Sequence, residues 1–275
     1  MTLHFRKSAV ANFRREAGFS AIELLLATFL LMAILGVVVK GMGDMQRRNF
    51  SETAKMDTAQ ETRDFIDQMV RDIHTVGYPP ARAIGVLQGG AVNNTPYCTD
   101  ALANGVVNPV VRPNVGVACG IVSFTPLSVI YEADLDGTGT VSAIFLNLVA
   151  GAGNTCPCTL QRGVTTKQAE LAGIPPQYFT TVNGVLNSGN GAGAATFPIV
   201  LGGPGNYAAY GTTDVFAAFD ANANPILAPC TLATNPDCTQ IRSLRITANV
   251  APTYADPTSR QFPVFSITSR ARINF

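Results

Sequence analysis

The chain has 275 residues, of which 47% are hydrophobic and 13% charged, with a formal net charge of +1. A charged share about half the usual one excludes a highly charged disordered chain, and the near-zero net charge excludes a nucleic-acid binder that works by overall basicity. At this length the chain can bury a sizeable core, in one large domain or two small ones.

Residues 1–18 carry Arg6, Lys7, Arg14 and Arg15 against one acid, Glu16. From Phe19 to Val39 the chain then runs for 21 residues with a single charge, Glu23. As a helix rising ~1.5 Å per residue, that stretch matches the core of one bilayer. The basic leader predicts a cytoplasmic N-terminus and an outward-facing C-terminal part, an asymmetry slightly weakened by Lys40, Arg47 and Arg48. A secretory signal peptide has a shorter apolar core followed by an Ala-x-Ala-like site. Here no small-x-small site follows the apolar run; the small residue, Gly18, precedes it. A cut after Gly18 leaves the apolar segment on the mature chain. It removes four basic residues and one acid, so the formal charge moves from +1 to −2.

The run Arg14-Arg15-Glu16-Ala17-Gly18-Phe19-Ser20-Ala21-Ile22-Glu23-Leu24-Leu25-Leu26-Ala27 resembles the processing site of type IV prepilins and type II secretion pseudopilins. A basic leader ends in Gly, Phe follows, Glu stands at the fifth mature position, and an apolar helix begins. The resemblance implies cleavage between Gly18 and Phe19 by a prepilin peptidase, with N-methylation of Phe19. It implies for Glu23 the role of a membrane-embedded carboxylate that meets a Phe19 amine in a growing filament. A carboxylate inside an apolar span is costly unless paired, and an ammonium is a suitable partner.

Past the span, residues 40–72 hold six basic and seven acidic residues, the composition of a solvated helix face. Phe65, Ile66, Met69, Val70, Ile73 and Val76 recur at helical spacing and predict a stripe packed against a sheet. Gly77 and the Pro79-Pro80 pair stop the helix, and Gly36, Gly41 and Gly43 are candidate points of bending or melting. The expected segments are therefore a leader over 1–18, a membrane or filament-core helix over 19–42, its amphipathic continuation over 43–77, and a β-rich head over 78–275.

In the head, Leu127–Glu132 and Val141–Val149 read as strands around a tight turn at 134–139. Val215–Phe219 and Pro225–Leu227 read as a hairpin around Asp220–Asn224. Leu244, Ile246, Ala248 and Val250 alternate with polar residues, as do Phe265, Ile267, Ala271 and Ile273. Residues 151–205, rich in Gly, Asn and Thr, read as long decorated loops with one short helix near Lys167–Ala172. The fold class predicted is α+β: a long N-terminal helix laid against an antiparallel meander.

That plan matches the pilin fold. Tyr131–Gly139, Val215–Asn222, Ile241–Ile246 and Ser269–Phe275 resemble minor pilins of the PilW type and the related type II secretion pseudopilin J. Family chains often end near an Arg-Asn pair, whereas this one has Arg272-Ile273-Asn274. The resemblance implies a minor pilin, a non-catalytic structural subunit that takes part in pilus assembly, twitching motility and adhesion. Its partners are then the prepilin peptidase, other minor pilins, the major pilin and the inner-membrane assembly platform. Its place is the inner membrane, single-pass with a periplasmic head, and later the pilus surface. The alternatives are a type II secretion pseudopilin, or an adhesin or DNA-uptake pilin with a ligand-binding head.

Six cysteines, Cys98, Cys119, Cys156, Cys158, Cys230 and Cys238, all lie in the head and show no zinc or haem spacing. Their even number in a weakly charged region fits disulfides formed outside the cytoplasm. Nearest neighbours close short loops, which favours Cys98–Cys119 and Cys230–Cys238 and leaves Cys156 to Cys158. After cleavage His74 is the sole histidine, at the end of the core-facing helix, and this argues against an enzyme. No cofactor is expected, save that Asp134, Asp136 and Thr138 echo the start of a calcium-binding loop. Oxygen-bearing side chains fall at positions 1, 3 and 5, and Gly139 at position 6, but position 12 is Phe145 rather than the bidentate Glu. A Gly-assisted hairpin turn with solvated Asp residues accounts for the same residues. The head's nine basic residues are few and scattered in sequence, so no nucleic-acid partner is expected.

Overall fold

The computed structural model describes residues 20–78, 118–188, 199–201, 207–231, 238, 240–257 and 259–273. Helix α1 spans Ala21–His74. It is entered at Ser20, whose carbonyl accepts from the N–H groups of Glu23 and Leu24. It runs unbroken through Gly36, Gly41 and Gly43. The chain divides into two compact units, Met1–Asn49 and Phe50–Phe275. In the first, the described helix is exposed almost throughout and dominated by Leu, Ile, Val and Met.

In the second unit the C-terminal part of α1 supplies a core stripe. Phe65, Ile66, Met69 and Ile73 are buried, and Val70 packs at the edge of the same cluster. Burying each of the four contributes about 1.5–3 kcal/mol relative to exposure. Thr58 and Thr62 return their hydroxyls to the carbonyls of Ala54 and Thr58, which satisfies both hydroxyls inside the helix. The helix ends where Gly77 takes φ +78°, a conformation an L side chain resists. Gly77 then donates to the Glu132 carbonyl and Val76 bridges Ala133, so the helix end is tied to a strand.

The remaining elements are β1 (Ile121–Phe124), β2 (Ser128–Ala133), β3 (Ser142–Val149), β4 (Cys158–Thr166), α2 (Lys167–Leu171), β5 (Gln177–Val185), α3 (Ala208–Gly211), β6 (Phe216–Phe219), β7 (Pro225–Ile226), β8 (Cys230–Thr231), β9 (Ser243–Val250) and β10 (Phe265–Arg272). The strands form one sheet in the order β7-β6-β9-β5-β4-β3-β2-β1-β8, with β10 on β9. Every strand pairing is antiparallel. The chain is thus an α+β protein: a long apolar N-terminal helix and a curled antiparallel sheet.

Two expectations need correction. Residues 151–205 are not merely loops, since they contain β4 and β5, each nine residues long and central in the sheet. The short helix expected within them is α2, capped by the Thr166 hydroxyl, which accepts from Ala169 N. The β2–β3 connection is also no tight turn, because pairing stops at Ala133↔Ser142 and the intervening residues form an ordered loop.

Candidate functional site

Two regions of the chain carry unusual chemistry. The first is the start of α1. It is long and apolar enough to cross a membrane, and the apolar window is wholly unburied. Within that run Glu23 is the single charge, placed in the first helical turn, where unsatisfied N–H groups favour an anion. Gly18 and Phe19, the expected cleavage residues, lie outside the described residues, as does the leader.

The second region is the polar interior of the head. Arg162 enters from β4 and its Nε donates to Asp72 Oδ2 of α1 at 2.6 Å. The two side chains are only 9% and 13% exposed. Burial pushes the Asp72 carboxyl above its usual range, and the Arg162 guanidinium opposes that shift. The buried Tyr131 hydroxyl lies beside the same carboxylate without a well-directed hydrogen bond. Burial, and then the Asp72 charge, push its phenol well above the ordinary value. A few residues away, Lys167 Nζ donates to Glu132 Oε2 at 2.8 Å, with side chains 1% and 0% exposed. The same oxygen accepts from Cys119 N. These pairs lock the helix end, β2, β4 and α2 together.

The cysteines reinforce this interior. Cys156 is bonded to Cys158 and Cys230 to Cys238, with Cα–Cα separations of 4.3 and 5.5 Å. Cys119 is disulfide-bonded, and its expected partner Cys98 lies outside the described residues. His74 is exposed at the last turn of α1. Among the described residues no three His, Cys, Asp or Glu side chains gather as a metal-holding group.

Four of the head's nine basic residues, Arg242, Arg245, Arg270 and Arg272, lie on or beside the paired strands β9 and β10. Antiparallel pairing sets Arg270 directly opposite Arg245, with Arg272 opposite Ser243. Arg270 lies over the Phe219 ring at 4.5 Å and Arg245 at 5.4 Å. Arg270 also donates to Ser243 Oγ through Nε and Nη2. Beside them a groove of about 830 Å³ is lined by Arg242, Arg270, Arg272, Ser243 and Asp220. Asp220, the one carboxylate lining it among the described residues, is occupied by its own turn, accepting from Asn222 N, Asn224 N and Asn224 Nδ2. Arg245 and Arg272 have no ion-pair partner among the described residues. Sequence order hides the cluster because β9 and β10 each contribute separate arginines, and only their register brings them side by side.

The loop between β2 and β3 holds the candidate calcium residues. Gly139 N donates to Asp134 Oδ2 at 2.8 Å, and Thr138 donates to Asp136 Oδ1 from both N and Oγ1. Hydrogen bonds from Thr138 hold the Asp136 carboxyl below its usual range. Glu132, just outside the loop, is committed to Lys167. Comparison of the chain with protein-family models, with curated proteins and with solved structures finds no match.

Proposed function

We propose that this chain is a minor pilin, a structural subunit of a type IV pilus that is processed by a prepilin peptidase and takes part in pilus assembly. One observation carries the reading. A helix long and apolar enough for a membrane follows Gly18-Phe19, holds its one charge at Glu23, and continues as α1 into the core stripe of a disulfide-bonded antiparallel head. On this reading the N-terminal half of α1 is membrane anchor first and filament core later, and the head stands on the periplasmic and then the outer side. A type II secretion pseudopilin shares this physics and differs in its machinery; neighbouring genes for secretion outer-membrane components, rather than other minor pilins, would favour it.

Processing is the direct test. Mass spectrometry of membrane-extracted protein should find Phe19 at the N-terminus carrying one methyl group. An intact residue 1, or a cut after an Ala-x-Ala-like site, removes the pilin reading.

A second reading, an adhesin or DNA-uptake pilin, is favoured by the arginine cluster on β9 and β10, whose donors suit phosphate and carboxylate groups. Arg245→Gln combined with Arg272→Gln should then leave filaments intact and reduce adhesion or DNA uptake. Unchanged adhesion and uptake in that variant argue against it.

A further inference from the structure

We propose that the loop joining β2 to β3 binds a calcium ion through Asp134 Oδ1 and Asp136. The inference concerns the head alone and does not depend on the pilin reading.

The loop begins Asp134-Leu135-Asp136-Gly137-Thr138-Gly139-Thr140-Val141. The spacing of its oxygens is that of a calcium loop at positions 1, 3 and 5. Such a spacing alone also suits a hairpin turn, so the geometry must decide. The N–H of Gly139, at position 6, folds back onto Asp134 Oδ2 at 2.8 Å. This bond curls the backbone around the carboxylate and occupies one of its two oxygens. Gly137 and Gly139 take φ +69° and +83° to complete the curl. The second oxygen, Asp134 Oδ1, is buried and has no hydrogen-bond partner, and the residue as a whole is only 6% exposed.

A buried carboxylate oxygen with nothing to meet it is among the costliest groups a fold can carry. The surroundings do not relieve it. The Asp136 carboxyl lies within hydrogen-bond reach of that of Asp134. Thr138 occupies Asp136 Oδ1 from two sides and leaves Oδ2 over. Among the described residues no Lys, Arg or His pairs with either carboxylate. Lys167, on α2, is held by Glu132, and Arg162 by Asp72. Two adjacent carboxylates, one buried oxygen and no counter-charge call for a cation.

The chemistry of the donors selects its type. All are hard oxygens, with no nitrogen or sulfur among them, which disfavours zinc and the softer transition metals. Two carboxylates, the Thr138 hydroxyl, a backbone carbonyl at position 7 and water make an irregular set. Calcium accepts such a set, whereas magnesium demands a near-ideal octahedron. With Phe145 at position 12 the bidentate Glu is missing, so the affinity belongs in the range of extracellular modules, about 10⁻⁴–10⁻³ M.

The test uses the full chain in detergent, stripped with a chelator and then titrated with calcium chloride and, separately, magnesium chloride. Calorimetry should report one calcium site with a Kd of about 0.1–1 mM, and the head's melting temperature should rise with calcium. Asp134→Asn should weaken binding at least about tenfold, because it removes the charge on the buried oxygen. Asp136→Asn should do the same, and because Asp136 is fully exposed this variant keeps its fold. Asp220→Asn, in a turn whose carboxylate is already satisfied, should bind calcium as the parent does. The proposal is overturned by a parent chain that shows neither heat nor a melting shift up to about 10 mM calcium. It is equally overturned if magnesium acts as well as calcium, or if Asp136→Asn binds calcium undiminished.

Discussion

Replacing Arg162 with Leu should cost the head about 3–5 kcal/mol, a large part of the stability of an ordinary domain. Arg162 is buried and Asp72 largely so, and they join β4 to the last full turn of α1. Leu fills the space of the arginine stem but leaves the carboxylate with no counter-ion, and an unpaired buried charge is what makes such a change severe. The pair itself is not strongly stabilising, since burial already raises the Asp72 pKa despite the guanidinium. An Arg162→Leu, Asp72→Leu double variant should therefore recover most of the loss. The pH dependence has a definite sign. The folded-state pKa of Asp72 lies above its unfolded value, so this carboxyl favours folding at low pH, and that contribution fades as pH rises through the folded value. Without Arg162 the folded pKa climbs further, so the damage should be greatest near neutral pH and smallest in acid. The chain has no Trp, so urea unfolding can be followed through tyrosine fluorescence, with Tyr131 beside the pair as one reporter. A loss of less than about 1 kcal/mol at neutral pH, the size expected of an exposed pair, would show that Asp72 is solvated rather than buried.

The same residue shows why part of the fold cannot be read from the sequence. The stripe of α1 is legible because Phe65, Ile66, Met69 and Ile73 keep helical spacing and all face one core. The strands β9 and β10 are legible because apolar residues keep period-two spacing, Leu244, Ile246, Ala248 and Val250 in one and Phe265, Ile267 and Ala271, broken by Ser269, in the other. In β4 the alternation fails at Arg162. Cys158 and Leu160 face inward, and the next inward position is a charge whose partner is 90 residues away. Beside it, Gly163 sits where the register with β5 slips, and a Cβ there would come within 2.9 Å of the Tyr178 ring. A strand containing a buried arginine and a glycine at a bulge reads locally as loop, and only the long-range pair shows otherwise. The calcium-type loop was legible as a motif, but not the buried, unpartnered Asp134 oxygen that separates a cation site from a solvated turn. The membrane-compatible helix and Glu23 need no tertiary contact to be seen.

Glu23→Val should leave membrane insertion intact and cut incorporation into filaments at least about tenfold, the equivalent of ~1.4 kcal/mol per subunit. The substitution makes the span wholly apolar, so insertion is no worse. Cleavage between Gly18 and Phe19 should persist, because the side chain removed lies a full helical turn beyond the junction. Under the proposed function that cleavage creates the Phe19 ammonium, and Glu23 is the one anion in the span able to receive it. Two charges brought together in a water-poor filament core attract far more strongly than at a surface, and either one left alone is penalised. The rival account gives Glu23 no partner. It stands in the first turn of α1, close enough to the interface to keep its head in water, and there it is merely tolerated. Glu23→Gln separates the two. It keeps a polar group of the same size for snorkelling but removes the charge that an ammonium needs. Pairing therefore predicts that Gln fails like Val in sheared filaments, while toleration predicts that Gln behaves as the parent. If Glu23→Val itself co-purifies with sheared pili at the parental level, the register role is wrong for this subunit. A position at the filament tip, with no subunit above to supply the ammonium, would then account for both results.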